Sequence, residues 1–141
     1  NLRISEVTPM PSHRIRLAGP WELRLIDAHL QPDGDSVRCQ LPFNLSESRH
    51  ATGVRLTRGF HHPTGVDDTT KLRIVLQSTD RPLAVRVNGK GIDECGGPFN
   101  GEYVFDITGR IAAFNELSVF LESANPESAA TLKTVWLEIQ S

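Results

Sequence analysis

Hydrophobic and polar residues alternate with a period of two along most of this chain, and that period predicts strands. Trp21, Leu23 and Leu25 fall on one face, with Glu22 and Arg24 on the other. Val54 and Leu56 alternate with Arg55 and Thr57, and Phe60 follows Gly59. Leu72, Ile74 and Leu76 form a third run, Leu83, Val85 and Val87 a fourth, and Leu117, Val119 and Leu121 a fifth. Val135, Leu137 and Ile139 close the series, and Trp136 falls on their opposite face. Half-buried strands of a two-layer sandwich give this pattern. The expected core is Trp21, Leu23, Phe60, Leu72, Ile74, Val85, Val87, Phe105, Leu117, Val119 and Leu137.

Turn chemistry separates the runs. Asn88-Gly89 is a strong hairpin signal, because a type I′ turn needs positive φ at both central residues. Thr79-Asp80-Arg81-Pro82 reads as a polar turn, and Asn125-Pro126-Glu127-Ser128 as a late loop. Gly96-Gly97-Pro98 is incompatible with a central strand. Residues 94–101 therefore read as a long, flexible connection. Residues 108–114 have room for one short helical turn. Residues 1–13, with two prolines, read as a loosely attached lead-in, and 1–141 as a single jelly-roll domain.

Composition narrows the function classes. Fifteen Lys and Arg face seventeen Asp and Glu, a formal charge of −2 with the signs well mixed. Nucleic-acid backbones need clustered positive charge, so a nucleic-acid partner is not expected. No apolar run has the length of a membrane-spanning helix, so no membrane partner is expected. The compartment stays open. Two cysteines, Cys39 and Cys95, define neither a disulfide framework nor a usual zinc site. They read as reduced thiols in or near the core, with a Cys39–Cys95 bridge as the alternative in an exported protein. Asn44-Leu45-Ser46 matches a glycosylation sequon, a pattern common by chance.

Several segments resemble a known family in order and spacing. Leu17-Ala18-Gly19-Pro20-Trp21-Glu22-Leu23 resembles a Leu-x-Gly-x-Trp strand, and Leu41-Pro42 a Val-Pro segment. Arg58-Gly59-Phe60-His61-His62-Pro63 resembles an Arg-x-Phe-x-x-Pro strand. The Val85–Gly89 hairpin, the Gly96-Gly97 loop, Phe105-Asp106-Ile107-Thr108 and Asn115-Glu116-Leu117-Ser118-Val119 complete the set. Together they resemble the N-terminal sugar-binding domain of glycoside hydrolase family 2, which includes β-galactosidases, β-glucuronidases and β-mannosidases. The resemblance implies an all-β, galactose-binding-domain-like jelly-roll β-sandwich of two antiparallel sheets. It also implies an accessory role. Family enzymes continue into an immunoglobulin-like domain and a barrel that supplies two catalytic glutamates, and neither follows within these residues. A fold likeness does not carry activity.

The candidate sites are loops and one ring. His61, His62, Asp67 and Asp68 form the most chemically dense loop, suited to sugar hydroxyls or a metal. Adjacent histidines on an extended chain point oppositely, so no metal site is expected. Glu94 and Asn100 lie in the glycine-rich stretch; Cys95 beside Glu94 has no activating base. Trp136 is either a sugar-stacking platform, a contact for another domain, or a ring packed under a loop. No cofactor motif is present. The expected function is a non-catalytic carbohydrate-binding or accessory domain with a glycan partner, binding through loops. The alternative is a structural β-sandwich contacting a neighbouring domain or subunit.

Overall fold

The computed structural model describes residues 12–45, 53–122 and 131–140. The described strands are β1 (Ser12–Arg16), β2 (Trp21–Ile26), β3 (Pro32–Cys39), β4 (Phe43–Asn44), β5 (Gly53–His61) and β6 (Lys71–Ser78). They continue with β7 (Ala84–Val87), β8 (Lys90–Gly91), β9 (Glu94–Phe99), β10 (Glu102–Asp106), β11 (Phe114–Glu122) and β12 (Thr131–Gln140). Sheet A runs β1-β12-β6-β10-β9, with β4 also on β12, and sheet B runs β3-β2-β5-β11-β7-β8. Every pairing is antiparallel. This is the expected two-sheet jelly-roll sandwich.

The inward-facing alternate positions meet between the sheets. All eleven expected core residues are buried, Trp21 and Leu117 completely. The Trp21 indole N–H donates to the Leu17 carbonyl at 3.2 Å, which satisfies its one polar group inside the core. Three apolar residues on the outward faces are buried as well, Ile26 of β2 among them. Val75 lies on sheet A beside Trp136, and Phe120 on sheet B lies under the Arg86 guanidinium at 4.7 Å. Long amphipathic side chains lying flat on a sheet cover apolar neighbours in this way.

Turns behave as their residues dictate. Asn88 and Gly89 have φ of 54° and 81°, the two positive values the β7–β8 hairpin requires. Gly97 has φ of 99°, and a Cβ there would strike the Glu102 carbonyl, so only glycine fits. Pro98 sits on the edge strand β9, where its missing N–H costs no ladder bond.

Five expectations are corrected. Residues 94–101 are not a flexible connection: they form β9 and a tight turn into β10, because an edge strand tolerates Gly and Pro. Residues 108–114 form no helical turn. Arg110 N–H closes a turn on the Ile107 carbonyl at 2.9 Å, Gly109 takes φ of 74°, and β11 has begun by Phe114. Ser12 and His13 are not loose, since they pair with Gln140 and Ile139 of β12. Leu83 precedes β7 and is 42% exposed. Cys95 is exposed on β9, whereas Cys39 on β3 packs partly buried against the core; the two lie in different sheets. Asn44 is partly buried, its amide donating to Thr131 Oγ1 at 2.8 Å. The 125–128 loop and Ser46 lie outside the described residues.

Candidate functional site

The loop after β5 directs its polar groups inward on itself. The His61 ring packs edge-on against Phe114, with centroids 5.2 Å apart. His62 N–H donates to the Ala113 carbonyl at 2.9 Å, and its Nδ1 lies 2.9 Å from the Pro63 carbonyl. Asp67 Oδ1 accepts from the Thr69 hydroxyl (2.7 Å), the Thr69 N–H (2.8 Å) and the Thr70 hydroxyl (3.1 Å). The bonds from Thr69, and then those from Thr70, hold the Asp67 carboxyl below the ordinary aspartate pKa. This is an Asx turn that shapes the loop. Asp68 remains exposed. No cluster of three metal-ligating side chains occurs among the described residues.

The other expected residues lie elsewhere. Glu94 is ion-paired with Arg81, whose guanidinium also lies 5.3 Å from the Tyr103 ring centroid. Asn100 occupies the β9–β10 turn, next to Gly101, whose carbonyl accepts from Ser78 N–H. That turn is at the Ser78 end of β6, and the 61–68 loop is at the Lys71 end, so the two do not meet. Trp136 lies on the outer face of sheet A beneath Arg14, 5.2 Å from the ring centroid. Arg14 in turn bonds Glu138 at 3.0 Å and Glu102 at 3.1 and 3.3 Å. Its pKa is raised, chiefly by Glu102. Arg73 extends the network to Glu138 and Gln140. A sugar stacking on Trp136 would have to displace a guanidinium that two carboxylates hold.

Among the described residues the fold does assemble a concave site at one end, from residues that the sequence presents as punctuation. The β7–β8 turn and the 107–113 loop meet at the same end of the sandwich as the 61–68 loop. Between them lies a pocket of about 500 Å³. That size is ordinary for small-molecule sites, which run from about 300 to 1,000 Å³. Its apolar lining comes from Val87, Ile92, Ile111 and Ala112. Its only charged lining residues are Lys90 and Arg110.

Asn115 makes these walls rigid. Its side chain is wholly buried. Oδ1 accepts from Asn88 Nδ2 at 2.9 Å and from Ala112 N–H at 2.7 Å. Nδ2 donates to the Ala112 carbonyl at 2.9 Å and to the Phe60 carbonyl at 3.4 Å. Asn88 Oδ1 accepts from Glu116 N–H at 2.9 Å. One buried amide thus ties the hairpin turn, the 107–113 loop and β5 together. Sequence reading missed the pocket because its cations are isolated. The signal was a repeated local pattern: Lys90 follows Asn88-Gly89, and Arg110 follows Thr108-Gly109, each cation directly after a positive-φ glycine.

Two further depressions lie on the outer sheet faces. One of about 430 Å³ on sheet A is lined by Lys71, Arg73 and Asp106 beside Cys95. Burial raises the Asp106 pKa, but hydrogen bonds from Thr108, with Arg73 and Lys71 nearby, outweigh it and leave the carboxyl below its ordinary value. One of about 310 Å³ on sheet B mixes Glu22 and Glu116 with Arg38 and Arg58. Arg58, the arginine of the Arg-x-Phe-x-x-Pro segment, donates to the Ala18 and Gly59 carbonyls. Burial lowers its pKa. Its role is to pin β5 to the turn before β2. Charges of both signs line these two depressions, in contrast to the end pocket.

No protein-family model and no curated protein matches the sequence. Solved structures do match the fold. An FMN-binding β-glucuronidase from Faecalibacterium prausnitzii superposes with a TM-score of 0.72 at 19% identity, over 92% of this chain and 23% of that one. A β-glucuronidase from an uncultured Clostridium gives 0.71 at 17%, over 95% and 30%. The Ruminococcus gnavus β-glucuronidase in complex with D-glucaro 1,5-lactone gives 0.67 at 15%, over 96% and 31%. This chain spans less than a third of the length of these chains. The likeness shows the fold: the jelly-roll resemblance read from the sequence holds, and the chain has the architecture of one part of such glycoside hydrolases.

Proposed function

We propose that the chain is a non-catalytic accessory module of the glycoside-hydrolase kind, and that it binds carbohydrate through its end pocket. The observation that carries this reading is the pocket itself. It is concave, walled by turns that Asn115 locks, and placed on loops of a rigid sandwich, where binding groups are usually presented. The jelly-roll fold within β-glucuronidase chains supports the same reading. Glycoside cleavage needs two carboxyl groups facing the scissile bond. None lines this pocket, and Glu102 and Glu138, which share one arginine, are both held on Arg14. Calorimetric titration with an oligosaccharide panel tests binding, and an aryl-glycoside assay tests the absence of catalysis. Turnover by the pure chain, abolished by one Asp or Glu substitution, would overturn the non-catalytic assignment.

A second reading is a module that packs on a neighbouring domain or subunit without sugar affinity. Phe99, 74% exposed at the β9–β10 tip, and Phe114, 61% exposed, favour it. It prevails if no saccharide binds at millimolar concentration.

A further inference from the structure

We infer that the end pocket selects saccharides bearing a carboxylate, held between Lys90 and Arg110. The inference rests on the carbohydrate-binding reading above and adds the class of sugar. Lys90 and Arg110 are the only charged residues lining the pocket. Among the described residues neither side chain has an ion-pair or hydrogen-bond partner. Among the described residues Arg14, Arg73 and Arg81, by contrast, are ion-paired with carboxylates. A guanidinium presents a planar fork that matches a carboxylate, and an ammonium adds a point charge. The pocket's own amide, on Asn88, commits one N–H to Asn115 and one Oδ1 lone pair to Glu116, which fixes its orientation and leaves one donor and one acceptor for a sugar hydroxyl. With two cations and no carboxylate in its lining, the site favours a sugar that carries negative charge over a neutral one. Ile92 and Ile111 supply the apolar surface on which the C–H face of a ring rests.

The test is calorimetry on the full chain with three probes: a methyl hexuronide, the matching neutral methyl hexoside, and benzoate as a carboxylate without a sugar. The uronide should bind about tenfold more tightly than the hexoside, the effect of one charge-assisted contact. That advantage should shrink with added salt, because both cations are at the surface. Arg110→Gln and Lys90→Gln, which remove the charge but keep an unbranched polar side chain, should each remove most of it while circular dichroism stays unchanged. Equal binding of hexoside and uronide overturns the charge selection and leaves the carbohydrate reading standing. Binding of benzoate as tight as the uronide overturns the saccharide part of the inference. No binding of either sugar overturns the carbohydrate reading and this inference with it.

Discussion

Two loop regions sit at the same end of this sandwich, and they use their polar groups in opposite ways. The 61–68 loop holds two histidines and two aspartates. One carboxylate oxygen of its Asp67 accepts three bonds from Thr69 and Thr70, His61 rests on Phe114, and His62 is tied to Ala113 and Pro63. The 88–91 turn and the 107–113 loop hold little chemistry beyond Lys90 and Arg110, and they leave both cations unpaired over a pocket. Density of polar residue types thus does not by itself measure how many polar groups a loop leaves unbonded. A loop rich in Asp and Thr folds by bonding to itself. A loop built on turns and a buried amide can hold its few cations out toward a ligand.

The largest expected effect comes from removing the buried amide that shapes the second region. Asn115→Ala deletes four hydrogen bonds made by a wholly buried amide, one of them to the buried Phe60 carbonyl, so unfolding in urea should show a loss of about 2–4 kcal/mol. A loss below about 1 kcal/mol would mean that the pocket walls stand without it. Val87→Ala removes a residue that is both core and pocket floor, and should cost on the order of 1–3 kcal/mol. A neutral result would place Val87 on the wrong face.

Smaller effects are expected away from the pocket. Arg14→Ala should cost no more than about 1 kcal/mol, since its ion pairs are partly solvated. It should nevertheless raise acrylamide quenching of tryptophan fluorescence, because Trp21 is buried and only Trp136 gains exposure. Unchanged quenching would show that Arg14 does not cover the ring. Asp67 should have the most local effect. Its folded pKa lies below the ordinary aspartate value, so its contribution to loop order is present above the unfolded pKa. That contribution is lost as pH falls through the lower, folded value. Carboxyl NMR titration should find Asp67 midpoint-shifted downward, and Asp67→Asn should disturb only residues of its own loop. A midpoint at the ordinary aspartate value would contradict the Asx-turn account.

Much of the fold was legible because period-two patterning and Asn88-Gly89 are local signals with local causes. The eleven core residues followed from phase alone. What escaped was of another kind. β1, β3 and β9 carry exposed residues with no alternation to read, since an edge strand has little to bury. Val75 and Phe120 fell on faces that alternation marks as polar, and they are covered by side chains from other strands. The pocket was invisible for the same reason: Lys90 and Arg110 are twenty residues apart in sequence, and the β7–β11 pairing and the Asn115 bonds bring their turns together. Trp136 showed its face correctly but not its cap, because Arg14 lies on a different strand.

The most direct test of the account is amide chemical-shift mapping on the isotope-labelled chain, titrated with a methyl hexuronide. The account predicts saturable shifts confined to Val87–Ile92 and Gly109–Ala112, with little change at His61–Asp68, Asn100 or Trp136. Shifts centred on the 61–68 loop or on Trp136, with the Lys90 and Arg110 turns silent, would contradict it.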